Sequence, residues 1–163
     1  MLYSPFKIKE KIFDLNSFLK VLETWRSQGK IVFTNGCFDI LHIGHVDYLE
    51  KAKELGEFLI VGLNTDASIR RLKGSERPIV EEKSRTHVIA SLQSVNAVIL
   101  FDEDTPYNLI KAIQPDILVK GDDYTLDRII GADIVLNYGG KVETVPLVQG
   151  FSTSNIIHKI KGL

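Results

Sequence analysis

Two histidines stand three residues apart in the run Thr34-Asn35-Gly36-Cys37-Phe38-Asp39-Ile40-Leu41-His42-Ile43-Gly44-His45. The run leaves a short apolar stretch and enters a helical pattern, so the pair falls at a predicted helix N-terminus. The first turn of a helix carries unpaired backbone N–H groups and the positive end of the helix dipole, and both favour a bound phosphate. Gly44 lets the backbone approach such a group closely, while the imidazoles of His42 and His45 supply donors from one side. That constellation suits neutralisation of charge growing on a phosphate in transfer chemistry. Two bland alternatives exist: surface residues at a helix start, or a core histidine with its hydrogen bonds satisfied. A zinc site is disfavoured, because it wants three protein ligands and Cys37, His42 and His45 do not form a familiar ligand spacing.

The elements that must position this loop follow from hydrophobic periodicity. Leu15, Phe18, Leu19, Leu22 and Trp25 mark a helix ending near Gly29, and Ile31-Val32-Phe33 is a short buried strand. Val46, Leu49, Ala52 and Leu55 continue the helix behind the histidines to Gly56. Phe58 to Leu63 is apolar throughout, which fits a parallel sheet covered on both faces. Further along, Asn64-Thr65-Asp66 leads into a short helix, and Lys73 to Pro78 is a polar loop expected to be mobile over the site until ligand binds. Glu82 to Ser94 is helical, Ala97 to Phe101 a strand, Thr105 to Ile113 helical, and Ile117 to Val119 a strand. The stretch from Ile129 to Tyr138 reads as helix or strand, with helix favoured; Val142 to Val145 is the last strand and Ser154 to Ile160 the closing helix. This alternation predicts an α/β, Rossmann-like doubly wound parallel sheet in a single domain. Residues 1–29 are expected to be a helical segment packed on a domain formed by residues 30–163.

Composition narrows the function classes. The 163 residues are 44% hydrophobic and 25% charged, and 20 basic against 21 acidic residues leave a net charge of −1. Neither a nucleic-acid partner nor a membrane partner is expected from that balance. No apolar run has signal-peptide or membrane-spanning length, so a cytoplasmic location is the default expectation. Cys37 is the only cysteine, which rules out an internal disulfide; it is read as a packing residue without chemistry. The glycine pattern of dinucleotide-binding turns does not follow the first strand, and no P-loop pattern occurs in the chain.

Other segments fall on the same rim of the predicted sheet, where ligands bind in open α/β folds. Lys73 sits at the polar loop and offers a second cation. Lys120-Gly121-Asp122-Asp123-Tyr124 leaves a buried strand, and Asp123 could hold a ribose or the Mg2+ carried by a nucleotide. Ser152, Thr153 and Ser154 precede the last helix and are good N-cap residues, which could equally form a second phosphate cradle.

Taken together, these motifs resemble the nucleotidyltransferase superfamily that includes the cytidylyltransferases. They are more closely similar to the adenylyltransferase domain of the ADP-heptose synthases. The resemblance runs from about Lys30 to Lys161 and includes Asn64-Thr65-Asp66-Ala67-Ser68, Arg71-Leu72-Lys73-Gly74 with Arg77-Pro78, Asp104-Thr105-Pro106, Leu118-Val119-Lys120-Gly121, Asp123-Tyr124 and Gly150 to Ile157. It implies transfer of AMP from ATP, carried with Mg2+, to a heptose 1-phosphate, giving ADP-heptose for lipopolysaccharide core synthesis and releasing pyrophosphate. It further implies His42, His45 and Lys73 as catalytic residues. Thr34, Asn35, Gly36, Phe38, Gly44, Gly121, Asp123, Ser152, Thr153 and Ser154 would bind nucleotide, and no metal would be held by the protein alone. A homodimer or larger homo-oligomer is expected, and the kinase domain that many ADP-heptose synthases carry would have to be a separate protein. One departure is Asp122, where the heptose enzymes usually have Gly; Gly-Asp-Asp followed by an aromatic also resembles the glycerol-3-phosphate cytidylyltransferases. The alternatives are therefore cytidylyl transfer to a small phosphate, or a nucleotide-binding module without catalysis.

Overall fold

The computed structural model describes residues 8–162, so the first seven residues of the N-terminal segment and Leu163 lie outside the described residues. Six parallel strands form one sheet in the order β1-β4-β3-β2-β5-β6. In chain order the strands are β1 (Ile12–Phe13), β2 (Ile31–Gly36), β3 (Phe58–Asn64), β4 (Ala97–Phe101), β5 (Ile117–Gly121) and β6 (Lys141–Val145). The helices are α1 (Leu15–Arg26), α2 (Ile43–Lys53), α3 (Asp66–Lys73), α4 (Glu82–Ser91), α5 (Tyr107–Ile113), α6 (Ala132–Asn137) and α7 (Thr153–Lys161). The expected α/β, Rossmann-like single domain is the observed one.

Each central strand is apolar throughout because it is covered on both faces. Alternate residues supply two separate cores. Ile31, Phe33, Ile60, Ile99 and Leu118 point to one face, where they pack with Phe18 and Leu22 of α1, Ile110 of α5 and Val135 of α6. Val32, Leu59, Val61, Val98 and Val119 point to the other, against Tyr48, Leu49 and Ala52 of α2 and Ile89 and Ala90 of α4. Each fully buried Leu, Ile or Phe contributes roughly 1.5–3 kcal/mol of transfer free energy, so the sheet is held by burial on two sides and not by one continuous core.

Differences from the expected elements have local causes. The strand pairing of Ile12 and Phe13 with Val98 and Ile99 was not anticipated, because two residues are too few to show a period. The region from Ile129 to Tyr138 is helical only from Ala132 to Asn137, preceded by a 3-10 turn at Leu126–Arg128. Gly131 starts α6 at φ +86°, a conformation open to glycine and strained for other residues. Lys73 ends α3 instead of standing in the loop beyond it.

The chain runs outward from β2 to β3 and β4, then crosses back to place β5 on the other side of β2. Crossovers therefore diverge between β2 and β5, which opens a crevice at the carboxyl ends of those strands. A fully buried arginine ties the loops on this rim together. Arg85 of α4 donates from Nη1 to Cys37 O (2.7 Å), from Nη2 to Asn64 O (2.9 Å) and Asp66 Oδ1 (2.7 Å), and from Nε to Val80 O (2.9 Å). One guanidinium thus joins the loop after β2, the end of β3, the start of α3 and the segment before α4. Replacing Arg85 with Met should lower the unfolding free energy by about 3–5 kcal/mol, since it strands a partly buried carboxylate and several carbonyls. Urea unfolding of the two proteins measures this, and a loss below about 1 kcal/mol would contradict the assigned role.

Candidate active site

The pocket at the crevice has a volume of about 400 Å3 and is built by the loop after β2, the end of β5, the segment leading to α7, and the end of α3. His42 is the N-cap of α2 and has extended backbone, with φ −144° and ψ 170°. His45 lies in the first turn. Their rings stack with centroids 3.9 Å apart and 21° between planes. This stack is possible because residue 44 is glycine: a Cβ there would lie 3.1 Å from the His42 ring. Phe38, held at a left-handed φ of 44°, places its ring edge-on to His45 with centroids 5.2 Å apart.

Burial favours the neutral form of both rings. Burial pushes the His45 imidazole down to about 4, helped by the neighbouring His42 and Lys73 charges; burial also lowers His42. Neither nitrogen of His42 nor Nδ1 of His45 has a hydrogen-bond partner among the described residues, although all three are buried. Such atoms cost roughly 1–3 kcal/mol each while unpaired. A phosphate oxygen arriving at this stack would satisfy them.

The predicted residues divide into those that meet in the pocket and those that do not. Asn35, Gly36, Phe38, His42, Gly44, His45, Lys73, Gly121, Asp123, Ser152, Thr153 and Ser154 all line it. Thr34 does not, which corrects its expected place beside the nucleotide. Its side chain is fully buried, and its hydroxyl hydrogen-bonds the Tyr48 hydroxyl at 2.6 Å; Tyr48 in turn donates to Val119 O at 3.0 Å. Burial raises the Tyr48 phenol, so this is a neutral link that anchors α2 to β2 and β5. Ser152 caps α7, accepting from Asn155 N at 3.0 Å, and so performs the capping role as well as lining the pocket. Asp122 turns out of the pocket and accepts from Leu147 N at 3.3 Å. Cys37 lines the pocket wall, and its carbonyl rather than its thiol carries the structural contact to Arg85.

Several pocket residues were named from sequence only as parts of motifs, without a role of their own. Lys120 donates to Asn35 Oδ1, and its ammonium lies 5.6 Å from the Tyr124 ring centre. Burial brings it down to about 8, partly offset by Asp123. Arg77 also lines the pocket; its Nε donates to Asp39 Oδ2 at 2.7 Å. Asp39 accepts as well from Ile79 N (2.9 Å) and Val80 N (2.8 Å). Burial alone would raise this carboxyl, but the Ile79 and Val80 amides and Arg77 hold it below its ordinary range. The polar segment expected to move over the site is therefore pinned at residues 77–80 to the histidine-bearing loop. Nothing in the local sequence separates this role of Asp39 from that of a solvated loop carboxylate.

The depressed His45 value has a thermodynamic consequence in the ligand-free protein. Between pH 6.5 and about 4 the unfolded chain binds a proton at His45 that the folded chain refuses, so stability falls as pH is lowered through that window. Replacing His45 with Asn should flatten the dependence: the fall in thermal midpoint between pH 7.5 and 5 should be smaller in the variant than in the parent. Equal slopes would show that His45 is not held neutral.

Comparison with known proteins gives the same placement. A family model described as cytidylyltransferase-like matches residues 33–159. The curated "Bifunctional protein HldE" of Geotalea uraniireducens is 53% identical over 152 residues, covering 93% of this chain and 31% of that protein. The protein of the same name from Methylobacillus flagellatus is 55% identical over 152 residues, with the same coverage of 93% and 31%. The chain thus spans about a third of the length of these relatives. Among solved structures, a lipopolysaccharide core biosynthesis protein from Thermoplasma volcanium is 31% identical, with a TM-score of 0.59 over 74% of this chain and 97% of that one. A pantothenate synthetase from Thermus thermophilus, 14% identical, shares the fold with a TM-score of 0.63 over 90% of this chain and 67% of that one. On the family match and the identity to these relatives, the chain belongs to the cytidylyltransferase-like family.

Proposed function

We propose that this chain is a nucleotidyltransferase that moves AMP from ATP to a heptose 1-phosphate, releasing pyrophosphate and forming ADP-heptose for lipopolysaccharide core synthesis. The observation that carries the reading is the stacked, neutral His42–His45 pair with buried, unpartnered nitrogens at the start of α2. Neutral imidazole N–H groups held in this stack can donate to phosphate oxygens as charge develops there, with no reorganisation at the moment of reaction. An ionised acceptor phosphate is already a nucleophile, so transfer needs positioning and charge neutralisation more than a protein base. The α7 N-terminus with Ser152, Thr153 and Ser154 is suited to the pyrophosphate portion, and Lys73 to charge on the transferred phosphoryl group. Asp123 at the rim is placed for a ribose hydroxyl. Mg2+ enters this reading with the triphosphate, as part of the substrate.

Support for the sugar phosphate comes from the motifs shared with the ADP-heptose synthases and from the likeness to the structure of a lipopolysaccharide core biosynthesis protein. Asp122 was the residue that most favoured cytidylyl transfer, and its tie to Leu147 N leaves it outside the pocket lining. Assembly as a homodimer or larger homo-oligomer is part of the same proposal, supported by exposed apolar side chains at Leu126, Ile130 and Leu136. Among the described residues no helix is long and apolar enough to cross a membrane.

The test is pyrophosphate release by purified protein given ATP with heptose 1-phosphate, beside CTP with glycerol 3-phosphate. Release in the first mixture and not in the second is expected; the reverse would overturn the assignment. His45→Ala should lower turnover in the active mixture by roughly a hundredfold or more. Turnover within a few-fold of the parent would remove the histidine from the reaction.

A further inference from the structure

A second cavity of about 400 Å3 opens beside the nucleotide pocket, sharing Lys73, Arg77 and Ser154 with it. Its remaining walls differ in character. Ile157, His158 and Lys161 belong, with Ser154, to one face of α7, at the i, i+3, i+4 and i+7 spacing of neighbours on a helix. Opposite them stand Glu76 and Ile79 from the segment pinned by Asp39; Glu76 pairs with Lys161 at 3.2 Å across the opening.

Two features decide what such a cavity can hold. At the shared boundary, Arg77 is only slightly exposed and its Nε is used by Asp39, which fixes the guanidinium plane. That leaves the two terminal nitrogens without a hydrogen-bond partner among the described residues, a fork that matches two oxygens of a phosphate, and Lys73 lines the same boundary. Away from the boundary the lining is a carboxylate, two isoleucines, an imidazole and an ammonium. A pyrophosphate would meet repulsion from Glu76, and of the first turn of α7 only Ser154 lines this cavity, whereas Ser152, Thr153 and Ser154 all line the other pocket. A polyhydroxylated group fits: its hydroxyls find Glu76, His158 and Lys161, and its C–H faces lie on Ile79 and Ile157.

Resting on the adenylyl-transfer reading above, we infer that this second cavity is the acceptor subsite, with Arg77 and Lys73 holding the phosphate of the sugar and the Glu76–His158–Lys161 end holding its hydroxyls. The arrangement delivers a phosphate oxygen of the acceptor to the α-phosphorus of the nucleotide in the neighbouring pocket. The new bond is from that oxygen to phosphorus, the α–β bridging P–O bond breaks, and pyrophosphate departs with the electron pair; the ionised acceptor has no proton to lose. Asp39 acts here as a positioning residue, through Arg77.

Steady-state kinetics of the full chain with ATP and heptose 1-phosphate test the assignment, once the parent's pyrophosphate release has been measured. Arg77→Ala should raise KM for the sugar phosphate about tenfold to a hundredfold, and by more than it raises KM for ATP, since Arg77 also lines the nucleotide pocket. Because that variant strands Asp39, the exposed His158→Ala and Glu76→Gln variants give an independent measure and should raise the same KM about three- to tenfold with unchanged thermal midpoints. An increased KM for ATP or weakened inhibition by pyrophosphate, with the acceptor KM unmoved, would assign the cavity to the leaving group and overturn the proposal. Unchanged constants in all three variants would overturn it too. Absence of release from the parent would instead strike the reaction assigned above, so the two failures are distinguishable.

Discussion

The site depends on two buried charged groups that need not touch a substrate. Asp39 belongs to the loop after β2 and Arg85 of α4 bonds that loop at Cys37 O, and between them they bond the segment before α4, the end of β3 and the start of α3. A carboxylate or guanidinium so withdrawn from water is tolerated only where nearly all of its hydrogen-bonding capacity is met. That requirement runs both ways. The charges need the loops in this arrangement, and the loops, which have no regular structure to define them, take their arrangement from the charges.

With the loop fixed, the histidine stack follows. His42 caps α2 from an extended conformation, Gly44 leaves room for its ring, and Phe38 supports the ring of His45. Burial then disfavours the imidazolium forms, so the pair presents neutral donors beside the basic side chains of Lys73, Arg77 and Lys120. This division of labour is chemically sensible: fixed cations attract the polyanion, and neutral imidazoles can strengthen their bonds as charge accumulates on phosphorus-bound oxygens. Burial lowers the Lys120 ammonium to about 8, and an incoming anion would raise it.

Much of the motif that marks the family is structural. Thr65 caps α3 by accepting from Ser68 N, Asn64 bonds the Ser68 hydroxyl, Asp66 pairs with Arg85, and Arg71 pairs with Asp104. Thr34 belongs with them through its bond to Tyr48. These residues hold β3, α3 and the loop after β4 in register around the pocket without entering it. A recurring motif residue is therefore as readily a brace as a ligand, and the type of residue alone does not separate the two.

Local pattern in the sequence was enough to determine five of the six strands, most helices, and the meeting of the histidine loop with the segments after β5 and β6. Apolar runs covered on both faces and capping residues act within a few neighbours, so their physics is visible in order along the chain. Tertiary structure alone decided which polar residues face inward. Arg77 and Asp39 are 38 positions apart, and Lys120 and Asn35 are 85, yet each pair is in hydrogen-bond contact. Nothing in the local pattern distinguishes a polar side chain that is buried with a partner from one that is solvated. The distinction arises only when the sheet brings the ends of β2, β3 and β5 together, excludes water between them, and makes every unpaired charge there costly.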